Sequence, residues 1–246
     1  MKSLKENIDF ELSHWNGRRQ DHGVSCGPRY ILDTVLHHEE NTNGLFKANE
    51  FMELMRGPAI LEIGCNAGGF TTLFAKKGMT VGLDLLHLPL AYAYRWAEAI
   101  NRRDFSEETW GDSWCHPPNW TVECLWTQGE ASNLPFRDDS FDTVCMPDTI
   151  EHFPPHLRAR AIDEATRVVK LGGRFLISAI LDVYNPMRPT WKEDMLRDVH
   201  PFGLPTAEEL WRWITQAGVD IFFKYDDWLG KGDTYRQIFF GCDKNI

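Results

Sequence analysis

Two acids flank a glycine-bearing turn at a spacing that suits recognition of a nucleoside. The turn is Gly64-Cys-Asn66-Ala-Gly68-Gly69, with Glu62 before it and Asp84 twenty residues after Gly64. Glycine lets backbone approach a ligand without a Cβ in the way. An acid at that distance, at the end of the next strand, reaches a ribose and accepts hydrogen bonds from its hydroxyls. A dinucleotide fingerprint needs glycine at the first, third and sixth positions of the turn. Those positions hold Gly64, Asn66 and Gly69, and no Gly-Lys-Ser/Thr follows. The place where a pyrophosphate would press on the backbone therefore carries a side chain, and the turn suits a nucleoside without phosphates. Asn66 tolerates a left-handed backbone better than most residues. A second group with chemistry is Asp148-Thr-Ile-Glu151-His152. His152, with a reference pKa of about 6.5, suits a general base.

These residues need elements to position them. Ile60, Leu61 and Ile63 mark a buried strand within AILEI, and TTLFAKKG predicts a helix stopped by Gly78. Strand, glycine turn and helix open a nucleotide-binding α/β fold. MTVGLDL (79–85) predicts the second strand, ending in Asp84. A helix over 87–103 places Leu88, Tyr92, Trp96 and Ala99 on one core stripe. TVECLWTQ (121–128) and FDTVCM (141–146) predict the third and fourth strands. Asp148, Glu151 and His152 then fall at the carboxyl end of the fourth strand, where open α/β sheets bind ligands. HLRARAIDEATRVVK (156–170) is an amphipathic helix, and LGGRFLISAI (171–180) a turn and fifth strand whose glycines end that helix. Thr206 caps the next helix, with Glu209 completing a capping box. Residues 219–228 and 235–243 predict an antiparallel hairpin.

Glu62-Ile-Gly64-Cys-Asn66-Ala-Gly68 resembles motif I of the Rossmann-like (class I) S-adenosylmethionine-dependent methyltransferases, with Asn66 where the family usually has glycine. Gly129-Glu130-Ala131 with Leu134-Pro135-Phe136 resembles the family's adenine-binding segment, and Arg167–Ser178 its stretch before and through the fifth strand. The resemblance covers about residues 59–243 and is to the UbiE-like, quinone-biosynthesis branch. It implies an α/β fold with a seven-stranded Rossmann-like sheet of order 3-2-1-4-5-7-6, the last strand antiparallel, with helices on both faces. It implies S-adenosylmethionine as cofactor and S-adenosylhomocysteine as product, held by Glu62, Gly64, Asn66, Gly68, Asp84, Leu85, Glu130, Ala131 and Met146. Glu130 would accept from the adenine amine, and the Ala131 N–H would donate to a ring nitrogen.

The same resemblance divides the chain into a helical cap on the substrate side, residues 1–57, and a cofactor-binding domain, residues 58–246, with insertions near 104–120 and 181–205. Methyl transfer by in-line displacement needs donor and acceptor aligned, with a base where the acceptor carries a proton. His152 is the first candidate for that base; Tyr30 and His200 follow, with His14 and His22 as further polar candidates in the cap. Asp148, Glu151 and His152 also resemble a Glu-x-x-Glu-His segment associated with a divalent metal in ubiquinone-pathway O-methyltransferases. A base or substrate contact is favoured there over a metal.

Composition narrows the partners. A formal net charge of -10 argues against a broad nucleic-acid footprint. The six cysteines are scattered with no CxxC pair, which fits free thiols in a reducing cytosol. No run approaches the roughly 20 apolar residues of a membrane span, and the first residues lack a signal-peptide core. The expectation is a cytoplasmic enzyme acting on a small molecule by O- or N-methylation. Methylation of protein or RNA, and a non-catalytic cofactor sensor, are the alternatives; oligomeric state stays open.

Overall fold

The computed structural model describes residues 50–103, 120–181, 202–229 and 235–245. The strands are β1 (Ala59–Ile63), β2 (Met79–Asp84), β3 (Cys124–Gln128), β4 (Phe141–Pro147), β5 (Val169–Ile180), β6 (Asp220–Leu229) and β7 (Tyr235–Asp243). The helices between them are α1 (Gly69–Phe74), α2 (His87–Arg102), α3 (Pro155–Val168) and α4 (Ala207–Gln216), with a 3-10 turn at Ile150–His152. One seven-stranded sheet runs β3-β2-β1-β4-β5-β7-β6. Its first five strands are parallel, and β7 lies antiparallel to both β5 and β6. This is the expected order. Among the described residues no helix is long and apolar enough to cross a membrane.

Period-two alternation decides which side of the sheet each β1 residue serves. Leu61 and Ile63 face the main core, where Ala161, Ile162 and Ala165 of α3 and Leu210 and Ile214 of α4 cover the sheet. Ile60 faces the other side, packed with Phe51, Phe74, Cys145, Leu176 and Phe239. Glu62 shares that second side by the same alternation, which is where α1 and α2 lie. Residues 50–54 are helical, and Phe51 sits edge-on to Phe239 with ring centroids 4.8 Å apart. The end of the expected helical cap thus belongs to the sheet's packing.

Four local expectations change. Helix α1 ends at Phe74 with Ala75 as its cap, before Gly78. Gly78 instead passes under Pro58, whose carbonyl oxygen would lie 2.2 Å from an added Cβ. Helix α3 runs into β5 with no glycine between them. Gly172 and Gly173 serve a bulge: pairing with β4 jumps from Phe141↔Val169 to Thr143↔Arg174, and a Cβ on Gly173 would lie 2.7 Å from the Asp142 carbonyl oxygen. Strand β3 begins only at Cys124, because the Asn101 side chain takes both backbone groups of Val122, at 2.8 and 3.0 Å. Of the expected stripe of α2, Trp96 and Ala99 are buried, together with Leu90, Ala93, Ala97 and Ile100, while Leu88 and Tyr92 are only half-buried. The capping box of α4 forms as expected, Thr206 and Glu209 exchanging bonds of 2.9 and 3.1 Å.

Candidate active site

The glycine turn after β1 is built from left-handed backbone at Gly64 (φ 75°), Asn66 (φ 48°) and Gly68 (φ 81°). The amides of Gly64 and Cys65 both donate to the Leu83 carbonyl, at 2.8 and 3.0 Å, tying the turn to the end of β2. Neighbours close on it from two sides. A Cβ on Gly64 would lie 2.2 Å from the Thr149 methyl, and one on Gly68 would lie 2.5 Å from the Trp126 ring. Only glycine satisfies both the dihedral angle and the space there.

Asp84 stands at the mouth of this turn. Its carboxylate accepts from the amide of Asn66 at 2.8 Å and from that of Leu86 at 2.9 Å. Burial pushes its pKa up, and these amides oppose the shift. A carboxylate offers about four lone-pair sites, so these two bonds orient Asp84 and leave capacity for sugar hydroxyls. Glu62 is placed differently. It is 2% exposed and accepts from the Thr71 hydroxyl. Its pKa is pushed up to about 8, chiefly by burial and also by the charge of Asp84, against the Thr71 bond.

The adenine segment is reached through backbone: the Gly129 amide donates to the Asp84 carbonyl at 2.9 Å. Ser132 donates its hydroxyl to Glu130, and Glu130 bridges to Asn133. Helix α3 holds the far side. Glu164 accepts from the Leu134 amide at 2.8 Å, and Arg167 donates to the carbonyls of Leu134 and Phe136 at 3.2 and 2.9 Å.

At the carboxyl end of β4, Asp148 adopts a left-handed conformation (φ 43°). Its Oδ1 accepts from Ser178 Oγ at 2.8 Å and from Gln237 Nε2 at 2.5 Å. Glu151 is fully buried and accepts from the Ile180 amide at 3.1 Å. The two carboxylates thus address strands β5 and β7. Among the described residues no group of three or more His, Cys, Asp or Glu side chains is arranged to hold a metal ion. His152 is half-buried, its amide bonded to the Thr149 carbonyl at 3.0 Å. Arg158, 3% exposed, donates Nε to the Phe153 carbonyl at 2.9 Å and Nη2 to the carbonyls of Glu151 and Gly203. It joins the 3-10 turn to the chain before α4.

Glu62, Gly64, Asn66, Gly68 and Asp84 therefore gather at one turn, and Glu130 and Ala131 adjoin it through Gly129. Leu85 is half-buried, its carbonyl accepting from Gln128 at 3.0 Å. Met146 is fully buried in the main core. Tyr30, His14, His22 and His200, and almost all of both insertions, lie outside the described residues. Sequence reasoning missed Thr71, Thr149, Trp126, Arg158, Ser178 and Gln237. Arg158 had a readable signal: it stands on the apolar stripe of Ala161, Ile162 and Ala165, at i, i+3, i+4 and i+7. The others join elements distant in sequence.

A sheet of this order, with a glycine turn after β1 and an acid closing β2 at its carboxyl edge, is the fold of the class I S-adenosylmethionine-dependent methyltransferases. Residues 61–177 match the family described as "Methyltransferase domain". The chain is 24% identical over 150 residues to a demethylmenaquinone methyltransferase of Bacillus cereus, covering 59% of this chain and 54% of that one. The chain thus spans about half the length of the curated relatives it matches. Two solved structures share its fold. One is a geranyl diphosphate methyltransferase in complex with SAM (TM-score 0.63, 12% identity, 91% of this chain and 95% of that one). The other is the N-methyltransferase NodS of Bradyrhizobium japonicum in complex with S-adenosylhomocysteine (TM-score 0.59, 14% identity, 85% and 91%).

Proposed function

We propose that the chain is an S-adenosylmethionine-dependent methyltransferase acting on a small-molecule acceptor bound beside the 3-10 turn after β4, with His152 as the base. The carrying observation is the contact of Thr149 with Gly64, which sets the Asp148–His152 segment directly against the cofactor turn. The sulfonium of S-adenosylmethionine supplies an already activated methyl group. The chain's own residues bind and align. The glycine turn receives the donor, Asp84 takes the ribose hydroxyls, and Glu130 with the Ala131 amide takes the adenine. Glu62, held by Thr71, lies beneath the turn. Leu85 flanks the end of β2 beside it.

His152 removes a proton from the acceptor, which raises the nucleophilicity of a phenol oxygen or an amine. The same deprotonation of a ring hydroxyl activates an aromatic carbon. The similarity to demethylmenaquinone methyltransferases favours this second form, methylation of a quinone-type ring carbon. The part of the expected cap before residue 50 covers the acceptor side in this reading, with Tyr30 and, from the second insertion, His200 as further acceptor contacts. The free cysteines Cys65, Cys124, Cys145 and Cys242 suit a reducing cytosol.

The test is methyl transfer from labelled S-adenosylmethionine into a cell extract, with mass identification of the product. A labelled low-mass compound is expected. Label in protein or RNA would overturn the acceptor class. Cofactor binding with no labelled product in any extract would favour a sensor.

A further inference from the structure

Glu62 sits in surroundings made for a neutral acid. The last polar position of β1 turns toward the α1 side of the sheet, away from water. Thiols approach it from three elements: Cys65 in the turn, Cys124 on β3 and Cys145 on β4, each of which feels its charge. Each of those thiols is itself pushed up by burial first, so none of them is a thiolate near neutral pH. From α1 comes the Thr71 hydroxyl, donating to Oε2; Cys124 Sγ lies 3.7 Å from the Thr71 carbonyl oxygen. From β2 comes Asp84, fixed by two backbone amides, whose charge repels a second negative charge on Glu62. Among the described residues no cation is among the groups acting on it.

Resting on the cofactor reading above, we infer that S-adenosylmethionine drives a proton off the Glu62 carboxyl as it binds, which couples occupancy of the site to pH. The balance is simple. The O–H bond of the carboxyl breaks, its electron pair stays on the carboxylate and the proton passes to the buffer. The donor brings a sulfonium and an ammonium, and their positive charge at the turn favours the ionised acid. With a pKa of about 8, Glu62 is roughly nine-tenths protonated at pH 7 before binding. Because protons leave on binding, affinity rises with pH until the free group is itself ionised. The cofactor turn is then a pH-sensitive grip, loosened by acidification.

Calorimetry of the whole chain with S-adenosylmethionine in buffers of different ionisation enthalpy reads this directly. At pH 7 the observed heat should change with buffer, corresponding to release of close to one proton per site. Between about pH 6 and 7.5 the Kd should fall by up to about tenfold per pH unit. Glu62→Gln keeps an oxygen for Thr71 but cannot lose a proton, so its heat should be buffer-independent and its Kd flat. Thr71→Val removes the donor that favours the ionised form, so proton release at pH 7.5 should rise toward one. Binding with buffer-independent heat in the wild-type chain would sink this inference alone, as would proton release undiminished in Glu62→Gln or unmoved by Thr71→Val. No binding heat at all would sink the cofactor reading together with it.

Discussion

Thr149 occupies the space that a Cβ on Gly64 would need: its methyl carbon lies 2.2 Å from that position and its hydroxyl oxygen 2.5 Å. The contact locks the glycine turn after β1 to the turn after β4, the two places where we propose that donor and acceptor bind. Gly64→Ala adds this clash to a backbone at φ 75° that L-residues avoid. The expected cost is on the order of 2–4 kcal/mol, lowering Tm by roughly 5–15 °C, with cofactor binding lost. Thr149→Ser in the same background removes the methyl and should recover part of the Tm. Thermal unfolding of the single and double variants checks this; a Gly64→Ala protein with wild-type Tm would refute it.

Asp84→Ala takes away the acceptor of the Asn66 and Leu86 amides together with the proposed ribose contact. Bonds to a charged group contribute about 1.5–3 kcal/mol each, so S-adenosylmethionine should bind about 10–100-fold more weakly. Titration calorimetry on a variant with native circular dichroism distinguishes loss of the contact from loss of the fold.

His152→Asn should leave the Kd for the donor within about twofold while slowing methyl transfer by about 10²–10⁴. The kcat/KM profile of the wild type should rise through a pKa belonging to His152, and that limb should vanish in the variant. Equal rates for both proteins, once the acceptor is in hand, would remove His152 as the base.

Arg158 is a buried cation that makes its bonds with three backbone carbonyls of two segments, and the charges of Glu151 and Glu209 support its protonated form against burial. Arg158→Met should cost on the order of 2–4 kcal/mol. Hydrogen exchange should quicken in residues 150–153 and 202–206 together. Faster exchange in only one of them would show that Arg158 does not couple the two.

Glu62 also predicts how the cofactor-free protein responds to pH. Its folded pKa, about 8, lies above the ordinary value of 4.5. Between those values the folded state binds more protons than the unfolded one, so this group makes stability fall as pH rises from about 4.5 to about 8, and adds no slope beyond. Glu62→Gln lacks that slope. Its Tm should gain on the wild type by several degrees between pH 5 and pH 8; a constant difference would place the carboxyl outside the titrating groups.

How far the sequence reached follows from how local each feature is. The glycine turn, Asp84 and the Thr206–Glu209 box are legible because a few consecutive residues, or one spacing, carry the whole reason for them. The sheet order was legible through the family resemblance carried by its motifs. What escaped was set by partners far along the chain. Val122 looks like strand and is claimed by Asn101. Gly172 and Gly173 look like a helix stop, yet they answer to the pairing of β4 with β5. Gln237 becomes interesting only when β7 brings it beside Asp148.

The antiparallel strand β7 lies between β5 and β6, although β6 precedes it in the chain. On the ribosome, β6 therefore emerges with no neighbour to pair with, its backbone donors and acceptors waiting for a strand not yet synthesised. The β5 edge waits with it, and β7 closes both gaps in one step. Synthesis paused between the two strands would hold open two adhesive borders, the state in which nascent sheets are most prone to clump.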